Sequence, residues 1–188
     1  MQSKNKLAIF DLDGTLFDTR NVNYFAYCEA LSMYGVNLDY DFFCSKCNGK
    51  KYTQFLPTIC SLKESDIETI HKLKKRFYSK HLSKARINEN LFDIIESIKN
   101  NYFIALVTTA SKANTLDLLK YFKKEKVFDL IVTQDDLLAP KPNPEGFLKA
   151  QLHFNVGPDD TIIFEDSKVG EKAAMKCTKK IYMVKGFR

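Results

Sequence analysis

Five short apolar runs constrain the fold more than any other feature of the sequence. Leu7 to Phe10, Phe103 to Val107, Phe128 to Val132, Thr161 to Phe164 and Ile181 to Val184 read as strands buried on both faces. From residue 88 onward, helical patterns separate them. Leu91, Ile94, Ile95 and Ile98 fall on one helix face, and Lys112 to Phe122, Glu145 to Leu152 and Val169 to Cys177 repeat the habit. Strand alternating with helix predicts an α/β fold with a doubly wound parallel sheet. In such sheets, ligands gather at the carboxyl ends of the strands.

The first interval breaks the rhythm. About seventy residues follow the first strand with no convincing strand among them, far beyond a usual connection. Residues 20 to 35 and 65 to 84 read as helical, and Ser65-Asp66-Ile67-Glu68 has capping-box form. The predicted organisation is a core of residues 1–17 and 88–188, with a small α-helical domain, residues 18–87, inserted after the first strand. With 188 residues and 45% hydrophobic content, the chain can bury such a core.

Several strand ends carry chemistry. The first runs into Asp11-Leu12-Asp13-Gly14-Thr15, two carboxylates one residue apart before a glycine turn. Both can reach one cation or one phosphate. A calcium loop of the EF-hand type would need Gly at position 16 and an acid at 22; these are Leu16 and Val22. The second run ends in Thr108-Thr109-Ala110-Ser111, hydroxyls at a helix start where backbone N–H groups favour anions. Lys141 lies between Pro140 and Pro142, and the fourth run ends in Phe164-Glu165-Asp166-Ser167. Each has an ordinary structural explanation alone; their order at successive strand and loop ends makes coincidence improbable.

In this order, DLDGT, the Thr108 strand end, Lys141-Pro142 and FEDS resemble the four motifs of the haloacid dehalogenase-like hydrolases. The resemblance covers the whole chain, and the insertion is similar to that family's small helical cap. The Asp-x-Asp form belongs to its phosphatases and phosphomutases, so Asp13 argues against dehalogenation. The resemblance implies a Mg2+-dependent phosphatase that hydrolyses a small phosphomonoester, such as a sugar or polyol phosphate. Asp11 would be the nucleophile, giving an aspartyl-phosphate, and Asp13 the general acid and base. Mg2+ would take the Asp11 carboxylate, the Asp13 backbone carbonyl and Asp166. Thr108, Thr109 and Lys141 would hold phosphate oxygens, and Glu165 would bind the metal through water or orient Lys141. Gly170 stands where many relatives place another acid.

The cap would close over the site and read the leaving group. Candidate residues are Asn23, Tyr27, Asn48, Gly49, Lys50 and Tyr52, with Arg76 as a further cation. Cys47-Asn48-Gly49-Lys50-Lys51 resembles the specificity loop of such caps. Hexose phosphate mutases of the same family are the alternative; they usually carry a cap histidine where this chain has Asn23 and an arginine near Tyr52.

Charge supplies a reading from another class. Residues 44 to 86 hold eleven basic residues and three acidic ones, a net of +8 in a chain whose total is +6. That segment would attract anions, and a non-catalytic nucleic-acid or acidic-protein binder is the competing hypothesis. No recognisable nucleic-acid module accompanies the charge, so a small phosphorylated metabolite is the expected partner. Cys44 and Cys47 form a CxxC without a second pair to complete a zinc site, and all five cysteines, Cys28, Cys44, Cys47, Cys60 and Cys177, read as free thiols. His71 and His81 are expected on exposed helix turns. Without a signal-like or membrane-spanning run, the expectation is a cytoplasmic protein, with no membrane partner and plausible as a monomer.

Overall fold

The computed structural model describes residues 4–59, 63–185 and 187. The chain opens with β1 (Lys6–Phe10) and β2 (Phe17–Asp18). It passes through α1 (Arg20–Ser32), α2 (Tyr40–Phe42), α3 (Tyr52–Ile59) and α4 (Glu64–Phe77), and returns in β3 (Arg86–Ile87). Then come α5 (Glu89–Ile98), β4 (Tyr102–Val107), α6 (Lys112–Tyr121), β5 (Leu130–Val132), α7 (Glu145–Phe154), β6 (Thr161–Glu165), α8 (Lys168–Ala174) and β7 (Ile181–Met183). Contacts divide it into two compact units, Met1–Asp18 with Arg86–Arg188, and Thr19–Ala85. No helix among the described residues is long and apolar enough to cross a membrane.

The first unit is an α/β fold. Its five-stranded sheet has the order β5-β4-β1-β6-β7, and every pairing is parallel. Leu7, Ala8, Ile9 and Phe10 are all fully buried, so the central strand is covered on both faces. Leu7 and Ile9 pack with Val107 and Ile163 of the neighbouring strands, and with Phe147 and Ala150 of α7 and Ala173 of α8. Ala8, Phe10, Ile104 and Leu106 point the other way by strand alternation and are equally buried. On α5, Leu91, Phe92 and Ile95 are buried, and the Asn88 side chain caps the helix by accepting from Leu91 N at 3.4 Å.

A second ladder was not legible in the apolar pattern. Phe17 and Asp18 pair antiparallel with Ile87 and Arg86, within the stretch expected to hold no strand. Two-residue strands are too short to show alternation. The Arg86 guanidinium donates to Asp18 at 2.7 Å, and Asn88 N donates to the Leu16 carbonyl at 2.9 Å. The chain therefore leaves this unit and re-enters it at neighbouring positions.

The second unit is helical. Tyr27, Ala30 and Leu31 of α1 pack with Phe55 and Leu56 of α3, Ile70 of α4, and Phe43 and Cys47. Phe43–Cys47 form one wide π turn after α2. The capping box at Ser65 does not form: α4 starts at Glu64 after Lys63, so Ser65 lies inside the first turn. Its carbonyl instead accepts from the Thr69 hydroxyl at 2.8 Å. The two histidines also differ from expectation. His71 is half-buried and stacks on Tyr52, centroids 3.7 Å apart; His81 pairs with Glu29 at 3.0 Å. Cys28, Cys44, Cys47 and Cys177 are free thiols; Cys60 lies outside the described residues.

Candidate active site

Sheet register gathers the charged strand ends. Phe10 is paired with both Leu106 and Phe164, so the residues following all three emerge side by side. Asp11 continues the ladder, its N–H donating to the Phe164 carbonyl at 3.0 Å. Its carboxylate is buried. Lys141 reaches it from the loop before α7, with Nζ 2.5 Å from Asp11 Oδ1 and 2.6 Å from Glu165 Oε1. The same ammonium donates to the Val107 carbonyl at 3.2 Å, which ties it to the end of β4.

Glu165 ends β6 and is 1% exposed. Its other oxygen accepts from Asp166 N and Ser167 N, both at 2.9 Å, and from the Ser167 hydroxyl at 3.0 Å. Asp166 turns the other way. It accepts a long bond from the Thr15 hydroxyl, 3.4 Å, and packs on Gly14. Gly14 has φ +92°, and a Cβ there would stand 2.2 Å from an Asp166 oxygen. The glycine thus serves the turn and the close approach of Asp166 together.

Burial pushes the Asp11 carboxyl well above its ordinary value, against the pull of Lys141. Burial alone would lower Lys141, but Asp11 and Glu165 outweigh it and hold the ammonium above its usual range. Asp166 is pushed up to about 6, first by burial and then by Glu165. Oxygens from Asp11, Glu165 and Asp166 all lie within 4.8 Å of one another. Two buried carboxylates, Asp11 and Glu165, share the Lys141 ammonium, and the less buried Asp166 lies beside them. Hard oxygen donors in this arrangement suit Mg2+, and the Gly14 cradle that admits Asp166 fits the same purpose.

The remaining predicted residues fall into two groups. Thr108 is buried just beyond β4; its hydroxyl accepts from Ala110 N at 3.0 Å, and its own N–H pairs with Val132. Thr109 is exposed, and Asp13 is half-buried, bridging to Phe17. In the helical unit, Asn23 donates to the Thr19 carbonyl at 3.1 Å. Tyr52 donates to Glu68 at 2.6 Å, while Asn48, Gly49, Lys50 and Arg76 are exposed. Tyr27 is buried, 3.5 Å from His71 Nδ1.

Two features escaped the sequence reading. Lys74, inside a basic run, is buried between the rings of Tyr27 and Tyr78. Its position four residues after Ile70 was the available signal. Ser167 bonds Glu165 and also caps α8 by accepting from Gly170 N at 3.0 Å.

Comparison with known proteins gives this geometry a family. The family model for haloacid dehalogenase-like hydrolases matches residues 8–184. A phosphorylated carbohydrates phosphatase of Thermotoga maritima is 31% identical over 173 residues, covering 88% of this chain and 78% of the relative. Fructose-1-phosphate phosphatase YqaB of Escherichia coli is 27% identical, covering 88% and 89%. A Halalkalibacterium halodurans relative, pyrophosphatase PpaX, is 26% identical over 95% and 84%. Among solved structures, a Thermotoga maritima protein provisionally described as a beta-phosphoglucomutase superposes with TM-score 0.76 at 28% identity, covering 97% of this chain and 87% of that one. The chain belongs to the haloacid dehalogenase-like hydrolases, in their beta-phosphoglucomutase-like branch, and is a phosphoric monoester hydrolase.

Proposed function

We propose that this chain is a Mg2+-dependent phosphatase that hydrolyses a small phosphorylated sugar or polyol through an aspartyl-phosphate on Asp11. The observation that carries this reading is the buried link Asp11–Lys141–Glu165, with Asp166 beside it, at the carboxyl end of a parallel sheet. The phosphatase names of its relatives support the reaction class, and two of those names specify carbohydrate phosphates.

An Asp11 oxygen attacks phosphorus as the bond to the leaving oxygen breaks. Asp13 delivers a proton to that oxygen. Asp13 then takes a proton from water, whose oxygen attacks the phosphoryl group and frees Asp11. Lys141 and the Thr108 hydroxyl hold phosphate oxygens while charge builds on them. Thr109 N–H adds a backbone donor. Asp11, the Asp13 carbonyl and Asp166 would hold Mg2+, with Glu165 beside them, and the bound ion would offset the repulsion between the Asp11 carboxylate and an anionic phosphate.

The inserted unit is read as a cap that selects the leaving group through Asn23, Gly49, Lys50, Tyr52 and Arg76. A mutase is the second reading, favoured by the beta-phosphoglucomutase-like neighbour. Asn23 and Tyr52 count against it. Tyr52 is engaged with Glu68 and His71 and offers no guanidinium. The expected setting is the cytoplasm, and the small cap leaves room for a monomer.

The test is phosphate release from sugar, polyol and nucleotide monophosphates and pyrophosphate, with and without Mg2+. Release from a sugar or polyol phosphate that requires Mg2+ and is lost in Asp11→Asn is expected. Isomerisation of a hexose phosphate without net release would turn the reading to a mutase. Substantial activity in the variant would remove Asp11 as nucleophile.

A further inference from the structure

Gly170 is the third residue of α8 and has no positive φ that would call for glycine. Glycine inside a helix is unfavourable relative to alanine. Space explains it. A Cβ at Gly170 would stand 1.8 Å from Glu165 Oε1, 1.9 Å from its carboxyl carbon and 2.3 Å from Oε2. That carboxylate is not a loose chain end able to yield. One oxygen is held by Lys141, and the other by two N–H groups and the Ser167 hydroxyl. Ser167 is in turn fixed by the Gly170 N–H.

We propose that Gly170 and Ser167 are positioning residues that seat the Glu165 carboxylate and, through it, set where Lys141 holds its ammonium. Gly170 supplies the empty volume, and Ser167 supplies the hydroxyl that turns one Glu165 oxygen toward the loop. The remaining oxygen then faces Lys141, which is drawn between Glu165 and Asp11. The role proposed for Lys141 toward phosphate rests on the phosphatase reading above; the seat itself does not.

The experiment places Gly170→Ala in two backgrounds, native and Glu165→Ala. It reads kcat/KM, the inhibition constant of inorganic phosphate and the thermal unfolding midpoint. In the native background, kcat/KM should fall and phosphate inhibition weaken, each by about tenfold or more, and the midpoint should drop. With Glu165 truncated, the same change should cost no more than about twofold, and the midpoint should rise with helix propensity. Ser167→Ala should lose several-fold, and Ser167→Thr should restore most of it. If Glu165→Ala does not fold, Glu165→Asp takes its place with the same non-additivity. Equal losses in both backgrounds, or a native-like Gly170→Ala, would overturn the proposal. If no substrate releases phosphate but the midpoint still reverses sign, the seat stands and the phosphatase reading falls.

Discussion

Lys141 and Lys74 are both almost wholly buried, yet their surroundings differ. Lys141 in the sheet unit sits between two carboxylates at 2.5 and 2.6 Å. Lys74 in the helical unit lies over the rings of Tyr27 and Tyr78, at 5.3 and 5.1 Å. An ammonium between two carboxylates is part of a hydrogen-bonded charge network whose members depend on one another. Aromatic faces draw the Lys74 ammonium through their ring quadrupoles, an attraction that involves no carboxylate of either ring residue. The sheet unit thus concentrates its buried charge at the strand ends, whereas the helical unit wraps a buried charge in rings.

Substitutions can break or sharpen this contrast. The largest effect is expected for Asp11→Asn, a loss of turnover of at least about 10⁴-fold with circular dichroism unchanged. Lys141→Ala should follow, with about 10³-fold lower kcat/KM and about 3–5 kcal/mol lost in denaturant unfolding, because two buried carboxylates lose their shared cation. Gly14→Ala should reduce activity by about 10- to 100-fold by displacing Asp166, with weaker Mg2+ binding in calorimetry. Lys74→Met removes the charge over the rings of Tyr27 and Tyr78, and a loss of stability in denaturant unfolding is expected. A cost as large as that of Lys141→Ala would erase the contrast.

A further effect concerns pH. Burial, helped by Lys75 and Lys74, holds His71 down to about 4 from an ordinary 6.5. A depressed histidine contributes stability above about pH 6.5 and loses it as the pH falls toward 4. The unfolding midpoint should therefore fall over that window more steeply in the native protein than in His71→Phe, which preserves a ring against Tyr52. Parallel curves would show that His71 does not titrate this way.

The parallel sheet could be read from the sequence because its strands are apolar on both faces, a pattern that survives without any knowledge of partners. Asp11, Glu165 and Asp166 drew attention because they follow buried strand runs, and Lys141 because prolines flank it; each has an ordinary use alone, and only their order along the chain joined them. β2 and β3 were hidden because two residues carry no period. Ser65 misled because a side chain that can cap is overruled when the helix begins one residue earlier. His71 was expected on an exposed turn by residue type, whereas the folded helix lays it on Tyr52, as it lays Lys74 over Tyr27 and Tyr78. Gly170 was visible as an unfavourable helix residue, but its reason lies in a carboxylate that only the folded chain brings against it.

The short β2–β3 ladder has a consequence for how such a chain can change over time. Closing a long segment costs entropy that grows only slowly with its length. Here Asp18 and Arg86 hold the two ends of Thr19–Ala85 at one hydrogen-bonded pair. On that scaling, a tenfold longer excursion between the two ends costs only about 2 kcal/mol more to close. Lineages sharing this strand order can lengthen, shorten or exchange the inserted segment while the strand ends keep their register.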